Sequence, residues 1–304
     1  MKKGRRSRKK NNNDNTKLIY LFLGVVLLLG TTLYFLGKED ISSNYHRPTV
    51  KKDNNYIAAP LTKVPQLPEQ TVEEQSRPKA IASSHLPKLA IIIDDIGFTK
   101  RYTDLLNIEL PITYAIIPYT IYSVEAAKGA SASGMEVILH LPMEPKAYPE
   151  KDPGKGGLLI SMDESNIIRQ VRTNVDRVPH IKGVNNHMGS RFTEYGRGME
   201  LVLGEIKKRA LFFIDSKTSY KSKAYAIARK MNIKSAERDI FLDNVQTEEA
   251  IEKQLAKAVT MAKAKGEAIA IGHPYPETIA TLARLAPTMK DKGIELVFAS
   301  ALAK

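Results

Sequence analysis

The chain has 304 residues, room for one large domain plus appendages. Its net charge is +13, but residues 1–17 carry +7 of that, so the basic excess is a short tail and no nucleic-acid partner is expected. There is no cysteine, which excludes disulfides and thiolate zinc sites.

Residues 1–17 form the basic tail. Residues 18–37, LIYLFLGVVLLLGTTLYFLG, carry no charge and are long enough to cross a hydrocarbon core of about 30 Å as a helix. Lys and Arg before this segment place the N-terminus in the cytoplasm. A cleaved signal peptide is the rival reading, but its apolar region is normally shorter, and LYFLGKED is a poor cleavage site. The expectation is a single-pass anchor in the inner (cytoplasmic) membrane, with everything beyond it in the periplasm or another extracytoplasmic space. Residues 38–87 lack periodicity and are punctuated by Pro48, Pro60, Pro65, Pro68, Pro78 and Pro87, which reads as an extended linker.

From residue 88 to the C-terminus short apolar runs alternate with amphipathic stretches. KLAIIID, ITYAIIP and MEVILH read as strands, separated by helices near 100–107 and 123–133. ESNIIRQVRTNV has helical spacing, and KGVNN is the next strand. GMELVLGEIKKR, SKAYAIARKM and residues 248–265 read as helices between the strands ALFFID, RDIFLD and EAIAIGH. A last helical stretch, ETIATLARLAPTMKDKG, leads into IELVFAS. Apolar strands separated by helices predict a parallel sheet buried on both faces. Seven or eight such units suit an α/β fold of the distorted parallel β/α barrel type, with an open doubly wound sheet as the alternative. No Gly-rich loop follows the first strand, which disfavours a dinucleotide fold.

A parallel barrel carries its active site at the C-terminal ends of its strands. Those ends hold Asp94 and Asp95, then His140 with Glu144 four residues on, then Asn185, Asn186 and His187. Asp215, Asp243 and His273 end the later strands, whereas His180 precedes a strand and falls at the opposite end. An Asp at a strand end also caps the following helix, which suffices for Asp243. Two adjacent Asp residues need more, because one cap uses one side chain. Imidazoles and a carboxylate around an open position describe a catalytic zinc-type site. One Asp would then bind a divalent metal and the other act as base. The loop KDPGKGGL, 151–158, is long enough to be a lid or binding loop.

IIIDDIG, GMEVILHLPMEP, GVNNHMGSRFT, FFIDSKTS and IAIGHPYPET together resemble the divergent polysaccharide deacetylases, relatives of the NodB-type carbohydrate deacetylases. The resemblance covers about residue 88 to the C-terminus. It implies a distorted barrel, a divalent metal, usually zinc, and hydrolysis of acetyl groups on a glycan. It implies that Asp94 is the base, Asp95 a ligand, His140 the first metal histidine and His273 the proton donor to the leaving group. The family's second metal histidine is replaced by Glu144. Either Glu144 ligates or His187 supplies the imidazole, and the placement of NNHMGS at the same rim favours His187. Arg191 is the candidate for the family's arginine, and Glu144, Asn186 and Asp215 are candidates for substrate binding or support. The alternative to a hydrolase is a non-catalytic envelope protein that binds glycan or a partner on the same barrel.

Overall fold

The structure is a computed structural model and describes residues 86–304. The expected tail, anchor and nearly all of the linker lie outside the described residues. No helix among the described residues is long and apolar enough to cross a membrane.

Nine strands form one sheet in which every ladder is parallel. They are β1 (Lys88–Ile96), β2 (Ile112–Ile116), β3 (Glu136–Met143), β4 (Gly183–Met188), β5 (Phe212–Asp215), β6 (Ser235–Glu237), β7 (Ile240–Phe241), β8 (Glu267–Gly272) and β9 (Glu295–Val297). The order is β6-β5-β4-β3-β2-β1-β8-β7, with β9 paired to the start of β1. The connecting helices are α1 (Tyr102–Leu106), α2 (Ser123–Ala132), α3 (Glu164–Arg177), α4 (Gly196–Lys208), α5 (Ala224–Lys230), α6 (Glu248–Lys265) and α7 (Pro276–Leu285).

The sheet is curled into a half-barrel, and its two edges are joined by chain instead of by a ladder. Arg238 N donates to Asp215 O beside β5, and the next residue, Asp239, donates to Ile269 O in β8. The expected barrel of seven or eight strands is therefore corrected to nine. The stretch expected as one strand, RDIFLD, is only the two-residue β7, and Ser235–Glu237 is a separate strand that its mixed composition concealed.

Alternation along each strand separates two apolar layers. Leu89, Ile91 and Ile93 of β1 face the helices, where they join Ile167, Val171, Val202, Leu255 and Ala258. Ala90 and Ile92 face the interior with Ala115, Ile138, Phe212, Ile214, Ile269 and Ile271. Ala299, Leu302 and Ala303 of the C-terminal segment close that interior at the N-terminal ends of the strands. Buried Glu136 holds this plug by accepting from Thr113 Oγ1 and Ser300 N, while Ala299 N donates to Thr113 Oγ1. Gly183 is required opposite Phe212, because a Cβ there would lie 2.5 Å from the ring.

With one end plugged, the open end is the C-terminal one. The interior parity that gives Ala90 and Ile92 continues to Asp94, that of Ile138 to His140, and that of Ile271 to His273. Apolar interior thus becomes polar within one residue pair on three strands.

Candidate metal centre

Consecutive residues of a regular strand point to opposite faces, so Asp94 and Asp95 reach one site only through an irregularity in β1. Ile93 pairs with Tyr114 and Ile96 with Ile116, so β1 holds one residue more than β2 across this step. That is a β-bulge, and Asp95 takes a left-handed backbone at φ 57° within it. The bulge turns Asp95 toward the interior beside Asp94. Gly97 completes the turn at φ 121°, where a Cβ would collide with Thr120 Oγ1.

Asp95 Oδ1, His140 Nε2 and His187 Nδ1 converge. Oδ1 lies 3.2 Å from His140 Nε2 and 2.9 Å from His187 Nδ1, and the two nitrogens are 3.2 Å apart. Ligand bonds of about 2.0–2.2 Å in a tetrahedral set put donors about 3.3 Å apart, close to these spacings. No N–H is aligned on Asp95 Oδ1, so this buried oxygen has no hydrogen bond. Asn185 Nδ2 donates to Asp94 Oδ1 at 2.7 Å, which turns the Asn185 oxygen toward His140 Nδ1 at 2.8 Å. His140 then carries its proton on Nδ1 and presents the Nε2 lone pair to the cluster. An orphaned carboxylate oxygen and imidazole nitrogens in a closed triangle fit a divalent cation.

The electrostatics agree. Burial raises the pKa of Asp95, but the close imidazoles of His140 and His187 outweigh it and hold this carboxyl well below the usual range. Burial also opposes charge on His140, and Asp94 with Asp95 outweighs it, so the His140 pKa rises. Asp94, 3% exposed, has its pKa raised chiefly by burial, and its Oδ2 is 3.6 Å from His140 Nε2.

His273 stands on the other side, with Nε2 3.8 Å from Asp95 Oδ2. Asp243 accepts from His273 N and faces His273 Nδ1 at 3.0 Å, while Thr278 Oγ1 donates to Asp243 at 2.9 Å. Asp243 is therefore not the helix cap that its position suggested. Thr247 caps α6, and Asp243 orients His273. Phe241 and Tyr275 flank the imidazole with ring centroids at 5.2 and 5.4 Å. Burial works against a charged His273, but Asp243 outweighs it and lifts the pKa to about 8.

The other candidates have local work. Glu144 accepts from Arg191 Nη1 at 3.0 Å and Ile160 N at 2.6 Å, so both its oxygens are engaged outside the triangle. Glu144 is thus not among the three converging groups, and Arg191 is its partner. Asn186 ties β4 to the loop after β5, accepting from Ser216 N and donating to Met188 O. Asp215 accepts from Lys217 N, Ser222 Oγ and Tyr225 N at the start of α5, and so supports a turn. The 151–158 loop is fastened: Leu158 bridges to Met143, and Asn174 Nδ2 donates to Gly156 O. Sequence reasoning missed Asn185 and Asp243 as supports. Their signal was present, since both stand at strand ends, but their partners come from other strands.

Comparison with known proteins follows the same line. The family model described as divergent polysaccharide deacetylase matches residues 91–303. YibQ, an uncharacterized protein of Escherichia coli K12, is 37% identical over 216 residues, 71% of this chain and 67% of its own. An uncharacterized protein of Haemophilus influenzae is 36% identical over 196 residues, 64% of this chain and 69% of its own. The crystal structure of uncharacterized protein ATU2773 from Agrobacterium tumefaciens C58 superposes with a TM-score of 0.70 at 26% identity, covering 73% of this chain and 91% of that one.

Proposed function

This chain belongs to the divergent polysaccharide deacetylase family, and on that premise we propose that it is a metal-dependent hydrolase removing acetyl groups from an envelope glycan. The observation that carries the proposal is the triangle of Asp95 Oδ1, His140 Nε2 and His187 Nδ1, flanked by two further titratable groups. Asp95, His140 and His187 would hold the cation, with zinc the best match to a two-imidazole, one-carboxylate set. Such a cation activates water near neutral pH and polarises a carbonyl.

Asp94 is the base in this reading. It keeps one oxygen on Asn185 and its raised pKa makes it a stronger proton acceptor than an exposed carboxylate. His273 is the acid. With a pKa of about 8 it is protonated at neutral pH, and Nε2 points to the cluster while Asp243 holds Nδ1. It delivers its proton to the departing sugar nitrogen or oxygen. Two groups of different class, pushed to complementary protonation states across one centre, suit acyl transfer to water.

In this reading the uncharged apolar segment 18–37 would act as a single-pass anchor, with the centre outside the cytoplasmic membrane and within reach of envelope glycan. The test is metal analysis of the purified full-length chain together with acetate release from a panel of acetylated glycans. About one zinc per chain and zinc-dependent acetate release are expected. A chain that binds no divalent metal contradicts the proposal.

A further inference from the structure

The described residues begin with Leu86, at the N-terminal ends of the strands and away from the metal centre. The chain is fixed from its second described residue onward. Pro87 O accepts from Glu295 N, and Lys88 N donates to Gly266 O. Leu86 is nevertheless 46% exposed, a large apolar side chain left uncovered beside a fixed stretch.

Leu86 is one wall of an apolar groove of about 490 Å³. Leu110 and Pro111 before β2, Met289 and Ile294 between α7 and β9, and Leu296 of β9 line the rest. Its charged members are Lys290 and Glu295, one of each sign, so the groove favours an apolar occupant over a charged one. It also runs along an open strand edge. Glu295 N is engaged by Pro87, so alternation along β9 turns the Leu296 amide and carbonyl away from β1. On that side β9 pairs with no other strand among the described residues. Edges of this kind are normally covered, and apolar surface gains from being buried.

The sequence supplies an occupant directly upstream. Ala80, Ile81 and Ala82 precede Ser83, Ser84 and His85, and Ile81 is the one large apolar side chain between Pro78 and Leu86. Four to six residues of extended chain span about 13–20 Å, and the groove starts at Leu86 itself, so Ile81 reaches any part of it. The covalent link also holds this segment at a local concentration on the order of millimolar, which a separate partner has to exceed.

We propose that residues 80–85 form a latch that docks in this groove, with Ile81 on its apolar floor and the backbone along the free edge of β9. The chain upstream then leaves the domain from the face opposite the metal centre, and the rim stays open.

The chain has no cysteine, so one engineered thiol is a clean probe. Ala82→Cys is made in the full-length chain, reconstituted in phosphatidylcholine nanodiscs, and its alkylation by N-ethylmaleimide is timed in buffer and in urea. Docking slows alkylation in buffer at least about tenfold relative to the unfolded chain. Ile81→Asn in the same chain restores the fast rate, and so does Leu110→Asn in the groove. Ile121→Asn, a change of an exposed apolar residue at the rim, leaves the protection intact. Ile81 lies outside the described core, so its variant decides the matter even where Leu110→Asn destabilises the domain. Alkylation as fast in buffer as in urea overturns the proposal. So does protection that survives Ile81→Asn, or an equal loss of protection in the Ile121→Asn control. Protection that fades on dilution assigns the groove to a second copy of the chain and overturns the latch as well.

Discussion

Asn185 faces His140 from the neighbouring strand, its oxygen 2.8 Å from Nδ1, and is itself oriented by Asp94 at 2.7 Å. All three side chains are buried. The candidate base and a candidate ligand are therefore set by one amide. Asn185→Ala removes the acceptor that fixes the His140 tautomer, and metal affinity should fall about 10–100-fold. Asn185→Gln should not restore it, because the longer side chain cannot keep both contacts. A competition titration with a zinc chelator measures this. Unchanged affinity in the Ala variant would remove Asn185 from the site.

His187 and Glu144 separate two ligand sets. His187→Ala takes one corner from the triangle and should abolish stoichiometric zinc binding. Glu144→Ala breaks the contacts with Arg191 and Ile160 N, costing about 1–3 kcal/mol of stability while zinc affinity stays within a few-fold. Thermal melts and zinc titrations on both variants distinguish the effects. The opposite ranking in zinc affinity would return Glu144 to the metal.

The pair of His273 and Asp243 sets a pH window. The folded pKa of His273 is raised from 6.5 to about 8, so the stabilisation it brings is complete below 6.5 and lost as pH rises through about 8. If protonated His273 is the acid, kcat/KM declines over that same alkaline range. Asp243→Asn removes the carboxylate, and the alkaline limb should move down toward 6.5. A limb that stays near 8 in the variant would contradict the assignment.

Topology is checked independently of chemistry. A reporter fused after Lys304 should be active outside the cytoplasm if 18–37 is an anchor with its basic flank inside. Cytoplasmic activity of the fusion would contradict that orientation.

Much of this architecture was legible from local pattern. The run of apolar residues before Asp94 marks a buried strand, and α6 occupies 248–265 as its periodicity predicts. The residues that meet at the rim were also legible, because parity and strand ends are local properties. What was hidden depends on neighbours distant in sequence. Asp243 looks like a cap until β7 is set beside β8, which brings His273 to it. Glu144 looks like a ligand by spacing alone, and only the fold of the 151–158 loop and Arg191 shows its oxygens already engaged. The bulge at Asp95 leaves no local signature other than the following glycine, yet it is what turns both acids to one side.

Asp94→Asn separates the proton acceptor from the groups that would hold the metal. Asn matches Asp in size and lacks the ability to take a proton at neutral pH. The measurement is acetate release by this variant at full zinc occupancy, on a glycan that the wild type deacetylates. Fold and zinc content like the wild type are expected, with turnover reduced about 10²–10⁴-fold. Near-normal acetate release with zinc retained would contradict the role of Asp94 as base.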